Sequence, residues 1–201
     1  AINPPATPLW ENLAISAKRY PDKEALVFFG STMNYRQLLQ QTERLAAYLQ
    51  SLGVQKGDRV VLNMQNCPQL VIAHFAILRA NAVVVPINPM NRAEELKHYI
   101  TDSDARVALV TSDLAADMAK ASNELPAGTG LTHMVVTHYT DAFHAAQAGE
   151  LPASWSAWLL AQPPLPTLQH GQVTHWQQAL ACQAMAPAHQ VGCNDMALLP
   201  Y

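Results

Sequence analysis

Four runs of apolar, largely β-branched residues, DRVVLNM, NAVVVPIN, ARVALVTS and THMVVTHY, succeed one another through the first two thirds of the chain. Between them stand CPQLVIAHFAILRA, NRAEELKHYITDSD and DLAADMAKASNEL, whose apolar residues recur at helical spacing. Strands that are hydrophobic on both faces, alternating with amphipathic helices, predict a parallel sheet covered on both sides, with right-handed crossovers. The expected fold is therefore α/β, a Rossmann-like, mostly parallel sheet with helices on both faces. Upstream, Thr7-Pro8 predicts a capped helix start and EALVFFGSTMNY a hairpin around Gly30. From Tyr35 to Leu52 the apolar positions trace one helix face, closed by Gly53. Asn66 and Asn91 are the expected N-caps of the helices after the first and second of the four strands.

After residue 140 the pattern dissolves. AQPPLPTLQHGQ is rich in proline and glutamine, and only SWSAWLLA and VTHWQQALACQAM suggest short helices. The chain divides on this reading into an α/β unit over 1–140 and a loop-rich excursion over 141–193. A buried strand, NDMALLPY, returns to the sheet over 194–201.

Charge sharpens the division. All 12 lysines and arginines lie at or before Lys120, and the 81 residues that follow carry only Glu124, Asp141, Glu150 and Asp195. So sparse a charge predicts that part of this region packs against something and that the chain self-associates. With a net charge of −3 and no basic cluster, nucleic acid is not an expected partner. Three cysteines without a CxxC pair predict reduced thiols in a cytoplasmic protein, peripheral to the membrane at most. No run approaches the length of a transmembrane segment.

Candidate chemistry is sparse. The eight histidines include no HExxH or HxH, and His133/His138 and His170/His175 are each spaced by five, so no metal site is expected. Neither GxGxxG nor GxxxxGK[ST] occurs, which disfavours a nicotinamide- or flavin-binding domain. Cys67 sits at a helix start without a partner base and reads as structural. Asp102 and Asp104 read as turn residues. No catalytic residue is expected within the chain.

Three segments nevertheless carry a resemblance. GVQKGDRVVLNMQNCPQLVIAHFAILRANAVVVPINP (53–89), preceded by MNYRQLLQQTERLAAYLQSLG and followed by RAEELKHYITDSDARVALVTS (92–112), is similar to the N-terminal signature of the acyl-adenylate-forming enzymes. That family comprises acyl-CoA synthetases, aryl-CoA ligases, luciferases and peptide-synthetase adenylation domains. NDMALLPY resembles the family strand that leads into a Ser/Thr/Gly-rich phosphate loop containing a lysine. Asn81 stands where the family usually has glycine, and Asn is the next best residue for a left-handed helix cap.

The resemblance implies a truncated N-terminal subdomain of an ATP-dependent acyl-CoA synthetase, with ATP, Mg²⁺ and CoA as cofactors of the longer parent. A carboxylic acid, most like a medium or long fatty acid, would be the parent's substrate. The groups that handle triphosphate would lie downstream, leaving this piece inactive and without a bound cofactor. The loop Asn88-Pro89-Met90 is the one part that the resemblance places toward CoA. An aryl-CoA ligase fragment and a non-catalytic α/β binding module remain the alternatives.

Overall fold

β-Branched runs make the strands, and the pleat fixes which face each residue covers. In the computed structural model, which describes residues 5–144, 146 and 151–201, β1 (Glu24–Phe28) and β2 (Ser31–Asn34) form an antiparallel hairpin. A five-stranded parallel sheet follows, built from β3 (Arg59–Asn63), β4 (Val83–Pro86), β5 (Val107–Thr111), β6 (His133–Thr137) and β7 (Gln172–His175). Its order is β4-β3-β5-β6-β7. The chain steps outward from β3 to β4, then back past β3 to β5, so the topological switch lies between β3 and β5. Val60 is in register with Val84 on one side and Val107 on the other. All three are buried.

Alternation in the strands divides the core in two. Val60, Leu62 and Leu109 face a layer that includes α1 (Glu11–Arg19), α2 (Tyr35–Ser51), α3 (Pro68–Arg79) and α7 (Trp176–Leu180), through Leu13, Leu45, Ile72 and Trp176. Val61, Ala108 and Val110 face α4 (Ala93–Ser103) and α5 (Ala115–Asn123), through Leu96, Ile100 and Met118. Each fully buried Leu or Ile in these layers contributes about 1.5–3 kcal/mol of transfer free energy. The helices are thus on both faces, as the sequence predicts.

Local chemistry sets the boundaries. Asn34 caps α2 by accepting the Gln37 N–H at 2.9 Å, and the Gln37 side chain returns to the Asn34 N–H at 3.0 Å. Gly53, at φ +90°, ends that helix in the predicted position. Asn81 is left-handed at φ +69°, as an asparagine standing in for glycine should be. In the β1–β2 turn both Phe29 (φ +45°) and Gly30 (φ +81°) are left-handed, the two-residue turn that suits strand twist. For a bulky residue such as Phe29 that conformation costs about 1–2 kcal/mol.

Several expectations are corrected. Helix α1 begins at Glu11 rather than after Thr7, because Pro8 to Trp10 form a tighter turn in which Glu11 N–H donates to the Pro8 carbonyl at 3.1 Å. Cys67, not Asn66, occupies the cap of α3, with Pro68 at the first helical position. Arg92, not Asn91, precedes α4, and Glu95 accepts its N–H at 2.9 Å. Asn91 is drawn instead to the Tyr99 hydroxyl at 2.8 Å.

The segment VTHWQQALACQAM contributes strand β7 before its short helix. Gly171 is the cause: a Cβ there would lie 2.5 Å from the Thr132 carbonyl oxygen, so only glycine lets Gln172 N–H reach that carbonyl at 2.9 Å. Helix α6 (Ala153–Leu160) lies where SWSAWLLA predicts one. Residues 145 and 147–150 of the loop expected before it lie outside the described residues. NDMALLPY touches the opposite edge of the sheet: Val84 N–H donates to the Ala197 carbonyl and Leu199 N–H to the Val84 carbonyl, both at 2.9 Å. This is one parallel bridge, Val84 to Leu198, and not a buried strand, since Met196 is 61% and Leu198 40% exposed.

Candidate functional site at the carboxyl edge of the sheet

In an open parallel sheet the crevice beyond the carboxyl ends of the strands, at the topological switch, is where ligands bind. Here the switch between β3 and β5 brings together Asn63 to Cys67, Thr111 to Asp113, and Thr137 to Asp141. None of these three segments contains a lysine or arginine.

Two hydrogen-bonded groups furnish the edge. Asp113 receives the Tyr139 hydroxyl at 3.2 Å and the Trp158 indole N–H at 3.4 Å, which ties α6 to the sheet. Burial pushes the Tyr139 phenol well above its usual range, and the Asp113 charge adds to it, so it stays a neutral donor. In the second group Asp141 Oδ2 accepts the Thr137 hydroxyl and the His138 N–H, each at 2.9 Å. His175 Nδ1 accepts the Gln177 N–H at 3.3 Å, and its Nε2 faces Asp141 Oδ2 at 3.5 Å. The His138 and His175 rings are 5.1 Å apart. Burial holds His138 below the ordinary histidine range; His175 presses the same way and Asp141 opposes it.

Beneath these groups the Gln69 side-chain N–H₂ donates to the His138 carbonyl at 2.9 Å. Asn63 Oδ1, Gln69 Oε1, Thr111 Oγ1 and His138 Nδ1 are buried without a protein partner among the described residues. Unpaired buried acceptors of this kind are positions for ordered water. Cys67, 6% exposed, has its thiol pushed up to about 12 by burial, against the pull of the Leu70 and Gln69 backbone N–H groups. It is a packed, protonated thiol and no nucleophile.

The loop Asn88-Pro89-Met90 follows β4 at the same edge. Asn88 Oδ1 accepts the Met90 N–H and its carbonyl accepts the Asn91 N–H, both at 3.0 Å, so the turn closes on itself. Met90 is 80% exposed. Asp104 ends α4 at φ +50° and is ion-paired with Arg59 at 3.1 Å and Arg106 at 2.9 Å.

The edge is polar and acidic, with Asp113 and Asp141 as its charged residues in these three segments. Among the described residues no group of three or more His, Cys, Asp or Glu side chains could hold a metal ion. Among the described residues no glycine-rich strand-to-helix turn supplies backbone N–H groups for an anion, so these residues do not by themselves fit ATP and Mg²⁺. Histidine spacing offered no notice of the His138–His175 pair, because it forms between the end of β7 and the residue after β6, and β7 was expected as helix. The Asp113–Tyr139–Trp158 group likewise joins residues far apart in the chain, with no local signal.

A sequence model of the family described as AMP-binding enzyme matches residues 13–201. A long-chain-fatty-acid–CoA ligase of Yersinia pestis is 38% identical over 140 residues, 69% of this chain and 24% of that protein. The chain spans about a quarter of the length of this and similar curated relatives. Among solved structures, an anthranilate–CoA ligase in complex with anthranoyl-AMP superposes with a TM-score of 0.74 at 19% identity, covering 98% of this chain and 32% of that one. A fatty acyl-CoA synthetase of Mycobacterium tuberculosis gives 0.70 at 23% identity, covering 96% and 32%. These superpositions share the five-stranded parallel sheet and its helices, and the sequence match assigns the lineage: this chain belongs to the AMP-binding enzyme family.

Proposed function

We propose that the chain is the N-terminal subdomain of an ATP-dependent fatty-acid–CoA ligase, which converts an acid, ATP and CoA into acyl-CoA, AMP and pyrophosphate through an acyl-adenylate. On this reading 1–140 is the scaffold, 141–193 an excursion from it and 194–201 the lead into the phosphate loop of a longer polypeptide. The observation that carries the proposal is the match of residues 13–201 to the AMP-binding enzyme family. Charge builds on the α-phosphate as the acid attacks, and its stabilisation needs Mg²⁺ and cationic donors. Asn63 to Cys67, Thr111 to Asp113 and Thr137 to Asp141 hold no lysine or arginine, so on this reading those donors come from the rest of the polypeptide. The fatty-acid class is supported by the 38% identity to the long-chain ligase. In the same reading Asn88, Pro89 and Met90 present the exposed turn toward CoA.

The test is the reading frame beyond Tyr201. A continuation into a Ser/Thr/Gly-rich loop with a lysine, in a polypeptide that forms palmitoyl-CoA from palmitate, ATP and CoA, is expected. A natural stop after Tyr201 overturns the proposal in favour of a binding module. A full-length protein that accepts benzoate and refuses palmitate overturns the fatty-acid class alone.

A further inference from the structure

The residues before α1, the end of α3 and the stretch 189–197 enclose a cavity of about 320 Å³, at the small end of the range for ligand sites. It lies beside the amino end of β4, where Ala82 lines it, and shares no residue with the carboxyl-edge groups. Leu9, Leu78, Val191 and Met196 give it apolar walls. The Trp10 and His189 rings also line it, with centroids 5.7 Å apart and planes at 47°.

The roof is fixed in place although it contains no helix or strand. Asn81 Oδ1 accepts the Gln190 N–H at 2.8 Å, and Lys56 donates to the Gln190 carbonyl at 3.3 Å. Lys56 also pairs with Asp195 at 3.0 Å, and the Ala197 carbonyl accepts the Val84 N–H at 2.9 Å. Side chains and backbone from three separate places in the fold therefore hold one wall of the cavity.

Two polar groups define what it can take. The Trp10 indole N–H, which can only donate, is buried without an acceptor among the described residues. A buried indole N–H normally has a partner, so this one is a vacant donor at a cavity wall. His189 supplies the complement. Its Nε2 lies 3.0 Å from the Leu78 carbonyl, which can only accept, so Nε2 carries the proton and Nδ1 is left as an acceptor. Burial holds His189 below the ordinary histidine range; Arg79 and Lys56 press the same way, against the Leu78 carbonyl and Glu11, and the ring stays neutral. Charge is absent from the rest of the lining. Its one carboxylate, Asp195, is engaged by Lys56 and by the Gly192 N–H at 2.8 Å, and no lysine or arginine lines the cavity.

We infer that this cavity binds a small uncharged amide or lactam, whose carbonyl accepts from the Trp10 indole and whose N–H donates to His189 Nδ1. The hydrocarbon part of the molecule lies against Leu9, Leu78 and Met196, where burial of apolar surface supplies the affinity. An anion meets no counter-charge here, and a cation meets a carboxylate already neutralised. The site stands apart from the proposed function and does not depend on it.

The probe is 2-pyridone, a lactam that presents a carbonyl beside an N–H, titrated into the ¹⁵N-labelled 201-residue chain. The four tryptophans give four indole N–H resonances, and Trp10→Phe identifies that of Trp10 by its loss. The Trp10 resonance should move downfield and saturate while the other three stay in place. Nuclear Overhauser contacts should join the pyridone ring protons to the Trp10 indole proton and the Met196 methyl group. 1-Methyl-2-pyridone, which lacks the donor, should bind about tenfold more weakly, and so should 2-pyridone to Trp10→Phe with unchanged circular dichroism. A Trp10 resonance that does not saturate overturns the inference and leaves the cavity to ordered water. Contacts to Trp155 or Trp158 in place of Trp10 overturn it as well, and so does equal affinity for the two pyridones.

Discussion

The stretch from Arg59 to Thr137 and the stretch from Leu151 onward are both rich in apolar residues, yet the second leaves far more of them exposed. In the first, Val60, Val61, Leu109, Val110 and Val135 are all fully buried. In the second, Trp155, Leu160, Met185 and Met196 are 53%, 40%, 91% and 61% exposed. What separates them is period, not hydrophobicity. A strand–helix alternation places every apolar face against another, whereas a proline-interrupted segment with no sustained period leaves its side chains where the local backbone points them. The second region is held where β7 pairs with β6, where Leu159, Leu168, Trp176 and Leu180 are buried, and at Tyr48, whose hydroxyl meets Thr174 at 2.9 Å.

The contrast should be widest in stability. Leu109→Ala, which empties a fully buried position on the central β5, should cost about 2–5 kcal/mol in urea unfolding. Leu165→Ala, in the proline-rich segment where the side chain is 38% exposed, should stay within about 0.5 kcal/mol. Similar losses at the two leucines would erase the distinction between the regions.

A smaller effect lies at the seam. Asn81 satisfies a left-handed turn in the sheet half, and its Oδ1 also accepts the Gln190 N–H at 2.8 Å, tying down the second half. Asn81→Ala should cost about 1–2 kcal/mol through the positive φ. Asn81→Gly keeps the turn and should remain within about 1 kcal/mol of the parent. Both should speed amide exchange at Gln190, and unchanged exchange would mean that the side chain is not the tie.

The last contrast leaves stability untouched. Cys67 is buried with its thiol held up at about 12, while Cys193 is exposed. At pH 8 a disulfide reagent should modify Cys193 at least ~100-fold faster than Cys67. Comparable rates would show the sheet half opening far more readily than its packing allows.

How much of this the sequence disclosed follows the same physics. Strands β3 to β6, helices α2 to α5 and the Gly53 turn were legible because apolar period and a helix-ending glycine are local signals, whereas the Asn81 turn came from the family resemblance. Strand β7 was not legible, because VTH follows GQ in a polar setting and pairs only where Gly171 passes against the Thr132 carbonyl. The ends of the helices erred by one or a few residues wherever two candidate caps stood side by side, as with Asn66 and Cys67. The carboxyl-edge groups were least visible: Asp113, Tyr139 and Trp158 meet only once α6 folds back on the sheet. Phe29 gave no warning, since nothing in a hairpin sequence announces that an aromatic residue will occupy the left-handed position beside glycine.

The proposed function makes this polypeptide a platform whose adenylating groups lie elsewhere. ATP–pyrophosphate exchange on the 201-residue chain, with Mg²⁺ and a series of fatty acids, tests it most directly. Exchange no faster than in a protein-free control is expected with every acid, and robust, acid-dependent exchange would overturn the proposed function of a platform.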